Sequence, residues 1–222
     1  MTLPPGQHRV DGFPRFGTHL HRPPPAVPAA PTIRIEGAVR EPVEVPLSRL
    51  ETLPRRVQRS DFHCVSGWSA TDLEWEGVPF ADFNERVIAP AAGPGVTHVV
   101  FRGLDQYRSV ALLEDAIARD VLLADRLNGE PLGPDHGAPV RLVSPSQYGY
   151  VSAKHLCRIE LRTSEPPTLY DGAAMSVLRP TLRARVWEEE RHRLVPGWAL
   201  RLPYRFLIAP IRTLSARGRK GA

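Results

Sequence analysis

Proline sets the tightest limit on how this chain folds. It supplies 24 of the 222 residues, and eight of those lie within residues 1–31. Each one fixes φ and removes a backbone donor, so it stops a helix and is kept out of central strands. Residues 1–31 therefore read as an extended arm rather than packed secondary structure. Beyond the arm the apolar pattern comes in short runs. Ile33 to Val39 alternates apolar and polar residues before its glycine, the pattern of a strand. Val43 to Val45, Val57 to Cys64, Val96 to Phe101, Val140 to Val143 and Leu156 to Leu161 read as further strands. Pro46 to Leu53 reads as a short helix stopped by Pro54. Val78 to Val87 is expected to be helical, with Phe80, Phe83 and Val87 on one face. Val110 to Asp120 is expected to be another helix, with Leu112, Leu113, Ala116 and Ile117 inward. Val121 to Leu132 reads as a hairpin turning at Asn128-Gly129, a dipeptide that tolerates positive φ. Short strands with interspersed short helices predict an α+β domain. Its expected limits are residues 31–170, after an arm over 1–30 and before an extension over 171–222.

The strand from Val57 delivers Cys64 to a loop that carries two tryptophans, Trp68 and Trp75. A thiolate there is a strong ligand for soft and transition metals, and function concentrates on loops held by a rigid scaffold. A small buried hydrophobe is the other reading of a free cysteine. The chain has two cysteines, 93 positions apart, which is no disulfide framework, and it has no CxxC pair for zinc. GxSxG, P-loop and GxGxxG patterns do not occur. A thiol hydrolase built on Cys64 remains open. His63 beside it points to the opposite face on a strand, so His98, His136 or His155 would have to serve as base.

Charge is unevenly placed. Residues 171–222 carry 11 Arg+Lys against 4 Asp+Glu, a net of +7, whereas residues 1–170 carry 18 against 20, a net of −2. The basic end suits an acidic protein or an anionic membrane surface, and no nucleic acid partner is expected. Within it, Arg185 to Leu194 reads as a mostly polar helix. Trp198 to Ile208 mixes aromatics with arginines, and packing on the domain with snorkelling arginines is the preferred reading. A non-catalytic adaptor working through this tail is a third reading of the chain. No apolar window is long enough to span a bilayer. The N-terminus shows neither an apolar signal segment nor a twin-arginine run, so a cytoplasmic location is expected.

His63-Cys64-Val65-Ser66-Gly67-Trp68, then Trp75-Glu76-Gly77-Val78-Pro79, resembles the molybdenum-ligand segment of the sulfite oxidase superfamily of molybdopterin-dependent oxidoreductases. The resemblance continues in order through Phe101-Arg102-Gly103-Leu104-Asp105 with Tyr107, and through Leu127-Asn128-Gly129-Glu130-Pro131-Leu132. It ends with Asp135-His136-Gly137-Ala138-Pro139-Val140-Arg141-Leu142-Val143 and Tyr148-Gly149-Tyr150-Val151-Ser152-Ala153-Lys154.

That resemblance implies the sulfite oxidase fold and one molybdenum carried on a single molybdopterin, with the Cys64 thiolate as a protein ligand to the metal. The cofactor would carry the oxygen-atom chemistry while the protein places it. His136, Arg141 and the segment Ser152, Ala153 and Lys154 match positions that hold the cofactor. Asp105 matches an acid near the pterin. A histidine of the arm, His19 in preference to His21, matches one that reaches the cofactor. Tyr107 matches a tyrosine beside the molybdenum, and Tyr148 is a second aromatic candidate. Arg102 and Arg108 are candidates for an anionic substrate. The implied substrate is a small sulfur oxyanion or an S- or N-oxide. The arginine-rich segment that follows the cysteine in sulfite oxidases is replaced here by Val65-Ser66-Gly67-Trp68. Some 50 residues after the core are too few for an Ig-like dimerisation domain of about 100 residues, and no haem domain is seen. Electrons are therefore expected to pass to a separate carrier.

Overall fold

The computed structural model describes residues 2–17, 19–168, 171, 175–176 and 179–217. Eleven strands, β1 His8–Arg9, β2 Thr32–Gly37, β3 Val43–Pro46, β4 Arg56–His63, β5 Trp68–Pro79, β6 His98–Gly103, β7 Arg108–Leu112, β8 Leu122–Leu127, β9 Glu130–Pro131, β10 Arg141–Val143 and β11 Leu156–Arg162, form two sheets among these residues. The helices are short except at the end of the chain: α1 Phe80–Phe83, α2 Leu113–Ala116 and α3 Arg201–Arg217. The α+β expectation is met, with two mixed sheets. One runs β1-β5-β8-β10, with β4 also paired to β5 and β9 to β8. The other runs β3-β2-β11-β6-β7.

Alternation along the strands gives the first sheet two apolar faces. Leu123, Leu142 and Val78 join the main core with Ile33, Ile35, Val99, Phe101, Ile159 and Leu161 of the second sheet. Their neighbours Leu122, Ala124, Val143, Trp75 and Trp68 face the other way, into a smaller cluster that contains Cys64. Phe13, Phe16, Val10 and Ile208 pack onto that second cluster from the two ends of the chain. The arm is thus packed, contrary to expectation. β1 pairs in parallel with Trp68 and Ser69 of β5, and Arg15 is buried. Eight prolines leave room for a two-residue strand and apolar anchors between them.

Three other expectations change. The stretch with two tryptophans is not a loop but β5, the longest strand, with 12 residues. Trp68, Ala70, Leu73 and Trp75 are buried on it, and the phase break between Ala70 and Leu73 falls at Asp72, whose φ is +58°. The helix expected over Val110 to Asp120 is one turn, α2, because Arg108–Leu112 is taken as an edge strand against β6. Arg185 to Leu194 is turn and bridge, not helix. The hairpin at Asn128-Gly129 forms as read, with φ of +52° and +82°. The helical stretch after Pro79 forms too, running through α1 into a π-helical turn at Asn84–Ile88.

Candidate functional site

Between β4 and β5 the chain makes a tight turn, residues 64–67. The Cys64 amide donates to the Trp68 carbonyl at 2.8 Å, and the Gly67 amide donates to the Cys64 carbonyl at 2.9 Å. Gly67 has φ +96°, and a Cβ there would lie 2.9 Å from the Gly6 carbonyl oxygen, so only glycine lets the arm approach. Gln7 completes the clamp. Its Nε2 donates to the Cys64 carbonyl at 3.1 Å, and its Oε1 accepts from Ser69 Oγ at 3.0 Å. Cys64 itself is 8% exposed. Burial pushes its thiol up to about 11, against weaker pulls from Ser66 hydrogen bonds and the Arg191 and Lys154 charges.

Beside this turn the second face of the first sheet gathers cations. Arg141 lies opposite Ala124 in the β10–β8 register, so alternation turns it to the side of Cys64 rather than to the main core. It is fully buried. Among the described residues its guanidinium bonds to the carbonyls of Leu142, His136 and Ser152. It lies 5.8, 5.5 and 5.1 Å from the ring centroids of Phe13, Phe62 and Trp75. Burial alone brings its pKa down to about 9. Lys154 donates to the Asp135 carbonyl at 2.8 Å. Burial, then Arg141 and Arg15, lower its pKa to about 7. Arg15 reaches in from the arm, 3.4 Å from Asp135 Oδ1. His19 is held down to about 4, first by burial and then by Arg15 and Lys154. His136 stacks on Phe13 at 4.7 Å with a 9° interplanar angle. His155 donates to the Ala138 carbonyl at 2.7 Å.

Taking cations out of water is expensive unless an anion meets them. Here Arg15 pairs with Asp135, the Asp135 and Asp105 charges act on Lys154, and Arg141 is met by backbone carbonyls. Nε2 of His19 and the indole nitrogens of Trp68 and Trp75 are buried with no hydrogen-bond partner among the described residues. Cations, unused donors and aromatic faces together fit an anionic heterocycle that ends in a phosphate. Among the described residues no cluster of three or more His, Cys, Asp or Glu could hold a metal ion.

The structure brings His19, His136, Arg141 and Lys154 into one neighbourhood with Arg15. The Ser152 carbonyl binds Arg141, and its hydroxyl accepts from the Ser144 amide at 3.1 Å. The Ser152 and Ala153 amides donate to Gly149 and Val151 carbonyls, so these residues shape the wall while their amides are engaged within the chain. Asp105 is tied to Lys154 through Gly103, where a Cβ would meet the Lys154 carbonyl at 2.3 Å and Asp105 Oδ1 at 2.5 Å. Tyr107 takes Asp105 Oδ1 on its amide and donates its hydroxyl to the Tyr150 carbonyl at 2.6 Å. The ring of Tyr150 stacks on Tyr148. Arg102 pairs with Glu160, and Arg108 donates to the Pro167 carbonyl, so both belong to the second sheet's surface.

Sequence reasoning missed Gln7, Phe13, Arg15 and Arg191. Arg191 is fully buried. It donates to the Val65 carbonyl, next to Cys64, and lies 5.2 Å from the Tyr148 ring centroid. The arm residues stand among prolines with no periodicity to mark them, and Arg191 sits in a run of charges that reads as solvated. Of the histidines weighed as a hydrolase base, His63 Nδ1 is 2.8 Å from Ser69 Oγ, His98 Nδ1 is 2.8 Å from Thr97 Oγ1, His155 donates to the Ala138 carbonyl and His136 stacks on Phe13.

The family model for the oxidoreductase molybdopterin binding domain matches residues 20–170. The chain belongs to this family: it is a molybdopterin-dependent oxidoreductase of sulfite oxidase type, with molybdenum-molybdopterin as cofactor. It is 31% identical over 160 residues to the uncharacterized oxidoreductase YuiH of Bacillus subtilis, covering 72% of this chain and 76% of that one. It is 32% identical over 160 residues to the protein-methionine-sulfoxide reductase catalytic subunit MsrP of Gluconobacter oxydans, covering 64% of this chain and 50% of that one. The fold is similar to that of the sulfane dehydrogenase SoxCD of Paracoccus pantotrophus. The TM-score is 0.56 at 21% identity, over 71% of this chain and 44% of that one.

Proposed function

We propose that the chain removes an oxygen atom from a small sulfoxide, with Cys64 as the protein ligand to molybdenum. The observation that carries this reading is the cationic cluster of buried Arg141 and Arg15 with half-buried Lys154 beside the Cys64 turn, on a face that the fold otherwise keeps apolar. When bound, the molybdenum-molybdopterin group supplies two-electron oxygen-atom transfer, and reducing a sulfoxide to a sulfide consumes two electrons and two protons and releases water. Arg141 and Lys154 hold the anionic end of the cofactor. His19 and His136 close over it from the arm side and the β9–β10 connection. Asp105 accepts from ring N–H groups. Phe13, Phe16 and Trp68 exclude water, which strengthens every charge contact within. Tyr107 stands beside the substrate, and its phenol serves as a proton donor once released from the Tyr150 carbonyl.

Two features support a sulfur substrate and a separate carrier. Several relatives are named as protein-methionine-sulfoxide reductase catalytic subunits, though the chain spans only about half the length of the one from Gluconobacter oxydans. The residues after Cys64 are Val65, Ser66 and Gly67, so no arginine follows the thiol in sequence to favour an oxyanion. An N-oxide is the second substrate to screen. Cys64 and Cys157 are unbridged, in keeping with a reducing, cytoplasmic setting.

The test is molybdenum and pterin content per chain from a molybdopterin-competent host, for wild type and Cys64→Ser. Near-stoichiometric metal in wild type, with an altered molybdenum(V) EPR signal in the variant, is the expected result. An unchanged signal in well-loaded Cys64→Ser overturns the ligand assignment. Consumption of sulfite but of no sulfoxide overturns the substrate.

A further inference from the structure

The C-terminal extension shows two different faces. Its inner face is committed to the site. Ile208 packs on the Cys64 cluster, and the Ser215 carbonyl accepts from Arg15 at 3.3 Å. Tyr204 stacks on His192 at 5.8 Å. Arg201 pairs with Glu189 at 2.7 Å. The outer face is apolar and bare. Trp198 is 67% exposed, Leu202 66% and Phe206 76%. On α3, Leu202, Phe206, Ala209 and Thr213 recur at three- and four-residue spacing and so share one stripe. Arg205 and Arg212 flank it, and Arg205, Arg212 and Arg217 make no ion pair among the described residues. From Leu194 to the end, the sequence holds six Arg or Lys and no Asp or Glu.

We propose that the outer face of α3, with Trp198, docks on an anionic lipid bilayer, lying in its interface with the arginines on the headgroups. A bare apolar stripe of this kind marks an interaction site. Its charge is of one sign, and its shape is a convex ridge with a tryptophan at one end, the form that lies along a bilayer interface. A second copy is disfavoured, because isologous pairing of this face sets the arginines of one copy against those of the other. The helix has 17 residues and four arginines, and no described helix is long and apolar enough to cross a membrane, so α3 lies on the bilayer rather than through it. Since a helix is about 10 Å across, docking holds the Cys64 site about one helix diameter from the lipid.

The experiment is vesicle flotation of the full cofactor-loaded chain, with neutral phosphatidylcholine vesicles and with vesicles containing one quarter phosphatidylglycerol. Binding to the anionic vesicles is expected, with a blue shift in fluorescence that Trp198→Phe removes. Leu202→Asp/Phe206→Asp and Arg205→Glu/Arg212→Glu should each weaken binding by on the order of tenfold or more, as should about 0.5 M salt. All substituted side chains are exposed, and unchanged molybdenum content confirms that the variants fold. Equal binding to neutral vesicles, or none to either, overturns the proposal. So does concentration-dependent self-association that Phe206→Asp abolishes without vesicle binding. Capture by poly-glutamate but not by vesicles overturns it too, in favour of an acidic protein.

Discussion

Replacing Lys154 by methionine should stabilise the cofactor-free chain below neutral pH. The ordinary lysine value is 10.5, and burial with the Arg141 and Arg15 charges brings it down to about 7. At about 1.36 kcal/mol per unit, that difference is about 4.8 kcal/mol of disfavoured ammonium. Lys154 is partly accessible, so about half survives solvent screening, and its bond to the Asp135 carbonyl offsets about 1 kcal/mol. The net gain for Lys154→Met is about 1.5 kcal/mol, or roughly 3–6 °C in Tm for a chain of this size. The sign depends on pH. Below 7 both folded and unfolded wild type carry the ammonium, and its full cost is present. From 7 to 10.5 the folded site is neutral while the unfolded chain still binds a proton, so wild-type stability rises with pH. The advantage of methionine should therefore shrink over that window and be gone by its upper end. Urea unfolding of both proteins, made in a host without molybdopterin and measured at about pH 6 and about pH 9.5, reads this directly. The variant from a competent host should retain less cofactor. A Lys154→Met protein that is less stable than wild type at about pH 6, or whose difference does not change with pH, would show that the ammonium is not held at a cost, and the chamber would lose its argument for an anion.

His19 is half-buried and its pKa is lowered to about 4 in the folded chain. Between 4 and 6.5 the unfolded state binds the extra proton, so stability should fall as the solution is acidified through this range. His19→Gln should flatten that limb in unfolding midpoints taken across it. At Gly149 an added Cβ would lie 2.1 Å from Phe62 Cζ and 2.6 Å from its Cε1. Gly149→Ala should therefore push the ring that Arg141 lies against. The sheets should keep their Tm within roughly 5 °C, because a ring tip can turn aside, while bound pterin per chain drops several-fold. Equal pterin content in the two proteins would show that Phe62 does not shape the chamber.

Of the second sheet, β2, β3, β6 and β11 were legible as short apolar or alternating runs, whereas β7 was taken into a helix. Ile33 and Ile35 alternate with Arg34 and Glu36, and the fold agrees. β5 was misread because its alternation slips a phase at Asp72. Yet Leu73-Glu74-Trp75-Glu76 alternates on its own and could have been read as a strand. α2 was overextended because Leu112, Leu113, Ala116 and Ile117 match a helical face, although Ser109 and Ala111 bury at strand spacing one step earlier. Of the candidate site, Cys64 and the residues from His136 to Lys154 were singled out by ordered motifs. Arg15 and Arg191 were not found, since nothing local separates a buried arginine from a solvated one. Both became visible only when the ends of the chain folded back.

That folding back explains how one face of the first sheet can carry charge at all. An apolar cover without donors would leave Arg141 and Lys154 unpaired in a dry site, and an open face would let water screen them. The arm and the extension do neither. Phe13 and Phe16 exclude water, Arg15 adds charge and brings Asp135 into register, and Arg191 and Gln7 fasten the Cys64 turn by its carbonyls rather than by its thiol. The sulfur has only the Ser66 hydrogen bonds, and the Arg141 guanidinium only backbone carbonyls, as partners among the described residues. Both deficits sit in the same cluster, and a ligand that binds only the folded chain and supplies an anion would lower the free energy of that state alone. The stability of the two-sheet body and the retention of cofactor are therefore separable. Changes in Arg15, Phe13 or Arg191 act first on retention, because the sheets close their main core without them.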